Sequence, residues 1–271
     1  MKILFASYEN LFTFSKVTKI HNSAVCSEST SDSLLSLWSI LESIVEEDSN
    51  IEEIKSENSG NKKERSKIGN IIAYTIPYLK SSYIKKLVQT CMTDIVRWNS
   101  SFFNNKIVTN GFGTNNIERT FAFLAFASEQ TVRDEFYSMT ETFPLLRQRV
   151  STLSEQLHNS KGIKALINAH SQRVRWHLHR IYRARNYIIH DAKIDNHMNQ
   201  ELVINLHSYV DIVFLEVISL ISKSPYNDSI HDAIVEHKLS TLIMDERLEN
   251  QENSDITAGN ALQYLYYAFE L

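Results

Sequence analysis

Arg173-Val174-Arg175-Trp176-His177-Leu178-His179-Arg180-Ile181-Tyr182-Arg183-Ala184-Arg185-Asn186-Tyr187-Ile188-Ile189-His190-Asp191 contains neither glycine nor proline. It lies in a region, residues 117–198, with a single Gly, at 162, and a single Pro, at 144. Helix interiors tolerate these two residues poorly, and turns use them. The region therefore reads as successive helices with breaks near Pro144 and Gly162, and the quoted stretch as part of a helix over about 163–190. The same argument extends to the whole chain. Its 271 residues hold only 6 Gly and 3 Pro, which removes the usual punctuation of β-sandwiches, barrels and Gly-rich nucleotide loops. The expectation is an all-α fold.

Towards the N-terminus, residues 8–26 place Leu11, Phe14, Val17, Ile20 and Ala24 at intervals of three and four, a helical stripe, although Phe12 to Thr18 also fits a short strand. Ser31 or Asp32 can cap a second helix, with Leu34, Leu35, Trp38, Leu41 and Val45 on one face and Glu46-Glu47-Asp48 at its end. Residues 48–66 lose apolar periodicity and read as a mobile solvated loop, its Glu and Lys being a solvated surface. Helical patterning resumes at Ile68 and runs to about Trp98, bent or broken around Pro77. Asn99 to Asn116, with Gly111 and Gly113, reads as a connection.

Beyond the quoted stretch, one helix is expected over 199–223, stopping before Pro225, and another over 227–244, followed by a polar loop from Asp245 to Asn260. Ala261 to Leu271 is too apolar for a free tail; it either docks on the core or faces a partner. The expected organisation is a helical domain over 1–224 with a helical C-terminal extension, 225–271, packed on it.

The bulk properties exclude several classes. A hydrophobic fraction of 43% and a charged fraction of 22% are those of a soluble globular protein, and a net charge of -4 requires any nucleic-acid surface to be local. Cys26 and Cys91 have no second Cys or His at finger-like spacing, so neither a disulfide nor a zinc site is indicated, and a reducing cytoplasm fits. His170, His177, His179 and His197 lack the tight spacing of a ligand set, so no metal or cofactor is expected. The apolar run after Met1 is too short for a secretory leader. Leu202 to Ile221, interrupted by His207, Asp211 and Glu216, reads as an amphipathic core helix and not a membrane span. The expectation is a soluble, untargeted cytoplasmic protein.

Charge and chemistry concentrate in the quoted stretch. Arg173, Arg175, Arg180 and Arg183 stand in a segment, 171–193, whose only acidic residue is Asp191, a local footprint for phosphate and so for nucleic acid. Trp176 and Tyr187 can stack on unpaired bases or face the core. RNA cleavage needs no metal if one group accepts the ribose 2′-hydroxyl proton, another protonates the leaving 5′-oxygen and a cation stabilises the phosphorane. His190 can perform either proton transfer, and Arg185 offers a bidentate fork to phosphate.

Five residues apart, these two side chains point about 140° away from each other on an ideal helix. Convergence needs the reach of Arg, a helix ending near His190, or two chains meeting. The plainer reading is a helix C-terminus, with His190 capping carbonyls and Arg185 pairing with a carboxylate. Asn186 either positions Arg185 or phosphate or is a local helix-end hydrogen bonder. Glu42, one turn after Trp38 at the edge of the apolar face, needs a partner. Pairing with an Arg and a catalytic role merge if that Arg is Arg185. Asp191 reads as solvent-exposed.

Arg180 to Ala192 resembles the signature of HEPN ribonucleases, an Arg, a polar residue and a His; here four residues separate Arg185 from His190 and Asn186 fills the polar slot. Leu34 to Ile44 looks like the upstream helix of the larger, ApeA-like HEPN proteins of prokaryotic defence, which supplies an acidic residue, here Glu42. The resemblance implies a HEPN-like helical bundle with extra C-terminal helices, forming a homodimer whose two motifs face across a cleft. It also implies a metal-independent endoribonuclease acting on tRNA or other cellular RNA in antiphage defence or as a toxin. Arg185, His190, Asn186 and Glu42 would be catalytic, and Arg173, Arg175, Arg180, Arg183 and Tyr187 would bind RNA. The alternatives are a non-catalytic HEPN module that binds RNA or protein, and the toxin half of a toxin–antitoxin pair. An antitoxin or a sensing domain would then be a partner.

Overall fold

A computed structural model of the chain describes residues 8–56, 67–191, 196–223, 230–250 and 254–267. The scarcity of helix breakers takes effect as length. The principal helices are α1 (Tyr8–Cys26), α2 (Thr30–Ser56), α3 (Lys67–Trp98), α4 (Ser100–Phe102), α5 (Asn116–Ala125), α6 (Gln130–Met139), α7 (Pro144–Leu157), α8 (Ser160–Asp191), α9 (Asn196–Lys223), α10 (Ile230–Asn250) and α11 (Ala261–Tyr266). Among the described residues there is no β-strand, only an isolated bridge between Asn159 and Asp255. The fold is all-α, as the composition implies.

Local differences from the sequence reading have identifiable causes. Phe12 to Thr18 is helical throughout. The cap of α2 is Ser29, whose Oγ accepts from the Asp32 N–H at 3.3 Å, so neither Ser31 nor Asp32 fills that place. The helix continues past Glu46-Glu47-Asp48 to Ser56, because Glu, Ser and Lys propagate a helix adequately even where no apolar face guides it. The expected loop thus loses residues 48–56; the rest of it, 57–66, lies outside the described residues. Pro77 sits inside an unbroken α3, where packing of Tyr74, Ile76, Tyr78 and Leu79 outweighs one missing N–H.

Asn99 to Asn110 is not open connection. Asn99 caps a run of α, π (Phe103–Ile107) and 3-10 (Val108–Asn110) turns that bury Phe102, Phe103 and Ile107. Only then does the chain turn, through Gly111 and Gly113 at φ of 75° and 68°. A Cβ at Gly113 would collide with the Glu118 carboxylate, so the position admits no side chain. Asn115 then caps α5, its Oδ1 accepting from the N–H groups of Ile117 and Glu118, both at 3.0 Å. Pro144 opens α7 at the first turn, where its missing N–H costs nothing.

The chain packs as two compact units, Met1–Leu79 with Ser171–Leu239 and Lys80–His170 with Ser240–Leu271. The expected boundary at 224/225 is not where they part. Helices α3 and α8, of 32 residues each, are about 48 Å long, more than one small core can cover. Each therefore contributes to both. Val174, Leu178 and Ile181 of α8 enter the core of the first unit with Leu34, Leu37, Trp38 and Leu41 of α2 and Leu206, Val210 and Val213 of α9. Ile163 and Ile167 enter that of the second. Gln200–Ser219 of α9 is long and apolar enough to cross a membrane by composition alone, but Leu202, Leu206, Val210, Val213 and Val217 form a buried stripe within the first unit.

In the second unit, the C-terminal segment docks. Ala261, Tyr264, Leu265 and Tyr267 are buried, and the Tyr267 hydroxyl donates to Asp245 Oδ1 at 2.5 Å, while Lys80 Nζ pairs with Asp245 Oδ2 at 2.7 Å. Buried Arg133 closes the end of α5 by donating to the carbonyls of Phe123 (2.6 Å) and Phe126 (2.9 Å). Arg133→Met should strip the Phe123 carbonyl of its donor, while the Phe126 carbonyl keeps the Glu129 N–H at 3.1 Å, and destabilise this unit by about 2 kcal/mol. Urea denaturation checks it; an unchanged midpoint would show that the Phe123 carbonyl finds another donor.

Candidate functional site

The site is assembled within the first unit from α2 and α8. On α2, buried Trp38 and partly buried Glu42 are one turn apart, and the Trp38 indole N–H donates to Glu42 Oε1 at 2.8 Å. The indole also lies 5.7 Å, centroid to centroid, from Tyr182 of α8. This ring contact seats α8 beside the carboxylate. Arg185, one turn further along α8, brings Nη2 to 3.5 Å from Glu42 Oε1, and Lys67 Nζ, at the start of α3, reaches the same oxygen at 3.2 Å. The other arm of the fork, Nη1, donates to Asn186 Oδ1 at 3.1 Å.

Glu42 is 14% exposed and Arg185 23%, so the pair sits where solvent still screens it but no longer surrounds it. One carboxylate faces two cations. The cluster keeps a net positive charge beside a fork whose orientation is fixed from two sides, which is what recognition of a phosphate oxygen requires. At 3.5 Å the Arg185–Glu42 approach is an ion pair and not a full hydrogen bond, so the guanidinium retains donors for an incoming anion.

His190 is placed differently. Helix α8 runs unbroken through it to Asp191, so the divergence of about 140° from Arg185 stands. His190 is exposed and makes no hydrogen bond or ion pair among the described residues. Of the four residues singled out for catalysis, the fold brings together Glu42, Arg185 and Asn186 and leaves His190 on the outward face.

That outward face has a pattern of its own. Arg173, Trp176, Arg180, Arg183, Tyr187 and His190 follow one another at intervals of three and four, one continuous stripe opposite Val174, Leu178 and Ile181. Every member is exposed, Trp176 to 61% and Tyr187 to 63%. Of the two orientations open to these aromatics, the structure has the outward one. Arg175 is exposed but lies off the stripe. Next to it, His177 Nδ1 meets the Tyr209 hydroxyl at 2.9 Å; burial pushes the Tyr209 phenol above its ordinary pKa, and the charge of Arg173 opposes that rise.

The histidines considered as metal ligands are dispersed: His170 stacks on Tyr83 at 3.8 Å in the second unit, His177 engages Tyr209 in the first, and the His197 side chain lies outside the described residues. Two participants escaped the sequence reading. Trp38 was legible as core but not as a donor, although its place four residues before Glu42 is the signal. Lys67 carried none, being separated from α2 by a segment without pattern. In comparison with known proteins, no family model, no curated protein and no solved structure matches this chain.

Proposed function

We propose that the chain is a metal-independent endoribonuclease of the HEPN kind that takes single-stranded RNA along the outward stripe of α8. The observation that carries this reading is the stripe itself. Three arginines and two exposed aromatics share one face that ends at His190, while another face of the same helix carries the Arg185 fork held by Glu42 and Asn186. Cations neutralise a phosphate backbone, and exposed aromatic rings stack on unpaired bases. His190 would move the protons and Arg185 would stabilise the phosphorane, leaving a 2′,3′-cyclic phosphate and a 5′-hydroxyl. A homodimer, a cytoplasmic setting and a role in antiphage defence or as a toxin, on tRNA or other cellular RNA, belong to the same reading.

The test is purified protein on total RNA in the presence of a chelator. Chelator-resistant cutting with cyclic phosphate ends supports the proposal; cutting that requires added metal, or that leaves 5′-phosphates, refutes it. Independently of cleavage, Trp176→Ala should weaken single-stranded RNA binding roughly 10-fold, the scale of one lost stacking contact, and leave the fold intact because the ring packs against solvent. Filter binding or fluorescence anisotropy measures this; an unchanged affinity would remove Trp176 from the interface.

A second reading has its own observation. Arg185 turned towards Glu42, with His190 pointing elsewhere on the same helix, is also the arrangement of a non-catalytic RNA-binding module. Salt-sensitive RNA binding with no cleavage at high protein concentration distinguishes it.

A further inference from the structure

His21 of α1 and His207 and Asp211 of α9 are brought together in the first unit from positions up to 190 residues apart. His21 Nε2 lies 3.1 Å from Asp211 Oδ1, and His207 Nδ1 lies 3.1 Å from Asp211 Oδ2. The two imidazole rings are 4.9 Å apart, centroid to centroid, and one ligand atom from each residue falls within 4.8 Å of the others. All three side chains are partly exposed. On α9, His207 and Asp211 stand one turn apart on a shared face, with the backbone fixed between them.

This is the chemistry of a divalent-metal site. Zinc held by imidazole nitrogen and carboxylate oxygen at about 2.0–2.2 Å places neighbouring ligands of a tetrahedron roughly 3.3 Å apart. Each imidazole nitrogen lies near that spacing from one carboxylate oxygen, His21 from Oδ1 and His207 from Oδ2, so Asp211 would bind through both oxygens or turn to present one. The two imidazole nitrogens need only a modest approach, which partly exposed side chains reach by rotation. Two neutral imidazoles and one carboxylate suit a borderline transition-metal ion better than magnesium or calcium, which favour oxygen ligands throughout.

We propose that His21, His207 and Asp211 bind one divalent transition-metal ion, zinc being the natural occupant, which clamps α1 to α9 and leaves the remaining coordination positions to water. The site is independent of the ribonuclease reading. A metal that stabilises the first unit is compatible with cleavage that resists chelation, and with no cleavage at all.

The experiment uses the full chain without an affinity tag, stripped with a chelator, exchanged into clean buffer and titrated with zinc chloride in competition with a chromogenic chelator. One equivalent should bind, and saturating zinc should raise the thermal midpoint by roughly 5 °C. Cobalt(II) in place of zinc should show visible d–d bands more intense than those of the aqua ion, because the protein ligands replace part of its water and lower its coordination number. His21→Ala, His207→Ala and Asp211→Asn should each weaken binding by more than roughly 100-fold, since even an outer-shell change typically costs 10–100-fold. His158→Ala, which alters a histidine of the other unit, should bind as the parent does. Asp211→Asn preserves shape, and circular dichroism verifies that each variant is folded. No saturable binding to the folded parent protein, or binding indifferent to all three substitutions, overturns the proposal and leaves Asp211 as a plain hydrogen-bond acceptor between two imidazoles.

Discussion

His190→Ala should lower RNA cleavage by roughly 10²–10⁴-fold, the range of a lost general acid or base, and leave RNA affinity nearly unchanged. Arg185→Ala should lower cleavage to a similar extent without unfolding the protein, because Glu42 keeps the Trp38 indole at 2.8 Å and Lys67 at 3.2 Å. The two inactive variants also test where the site is completed. Both residues lie on one continuous helix with side chains about 140° apart, so on the proposed dimeric reading the Arg185 and His190 that act on one phosphate would come from different chains. Random pairing of the variants makes roughly half the dimers mixed, each with one intact site of two, so about a quarter of parental activity should return. If mixed dimers are verified by mass and remain inactive, the shared site is refuted. Activity lost in neither variant removes both residues from the chemistry.

The sequence made the fold class legible because helix breakers are scarce, a property read residue by residue without knowledge of the tertiary structure. It made α8 legible almost to its ends, expected over 163–190 and found at Ser160–Asp191. Residues 48–56 were misjudged because local composition argued against helix there and the continuation of α2 decided otherwise. At Pro77, where a bend or a break was expected, the helix is not broken, and its packed neighbours hold it together. The division into two units was illegible because its boundaries fall inside α3, α8 and α10, continuous helices with no loop at any of the three points.

The candidate site divides along the same line. Glu42 was identifiable because a carboxylate at the edge of an apolar stripe must find a partner, and its partners are the Trp38 indole, Lys67 and Arg185. The outward setting of Trp176 and Tyr187 required the structure, since an aromatic on a basic helix suits either face. The triad of His21, His207 and Asp211 was half visible. His207 and Asp211 stand at helical spacing in a segment where they register only as interruptions of an apolar run, but nothing local to α9 points to His21. Pairings within one helix are written in the sequence; those between α1 and α9 depend on how the helices pack.

Between about pH 7 and about pH 4.5 the protein should lose about 2–3 kcal/mol of stability through one residue, His237. This imidazole is buried in the first unit, stacked on Tyr78 at 4.4 Å with the rings 10° from parallel, and hydrogen-bonded to the backbone of Pro77, whose only available group is its carbonyl. Burial lowers its pKa from the ordinary 6.5 to about 4; the bond to Pro77 and the charge of Glu236 oppose the shift without cancelling it. As pH falls through 6.5 the unfolded chain takes up a proton that the folded chain refuses until about 4, so stability declines across that window and the loss is complete below it. Above the window His237 is neutral in both states and contributes no pH dependence. His237→Phe keeps a flat ring against Tyr78 and cannot titrate. Urea denaturation of both proteins at the two pH values should show the parent losing about 2–3 kcal/mol more than the variant, whatever the carboxylates common to both contribute. Equal losses would mean that the imidazole protonates in the folded protein at its ordinary pKa, which requires water to reach the Tyr78 stack and the helix segment around Pro77 to open.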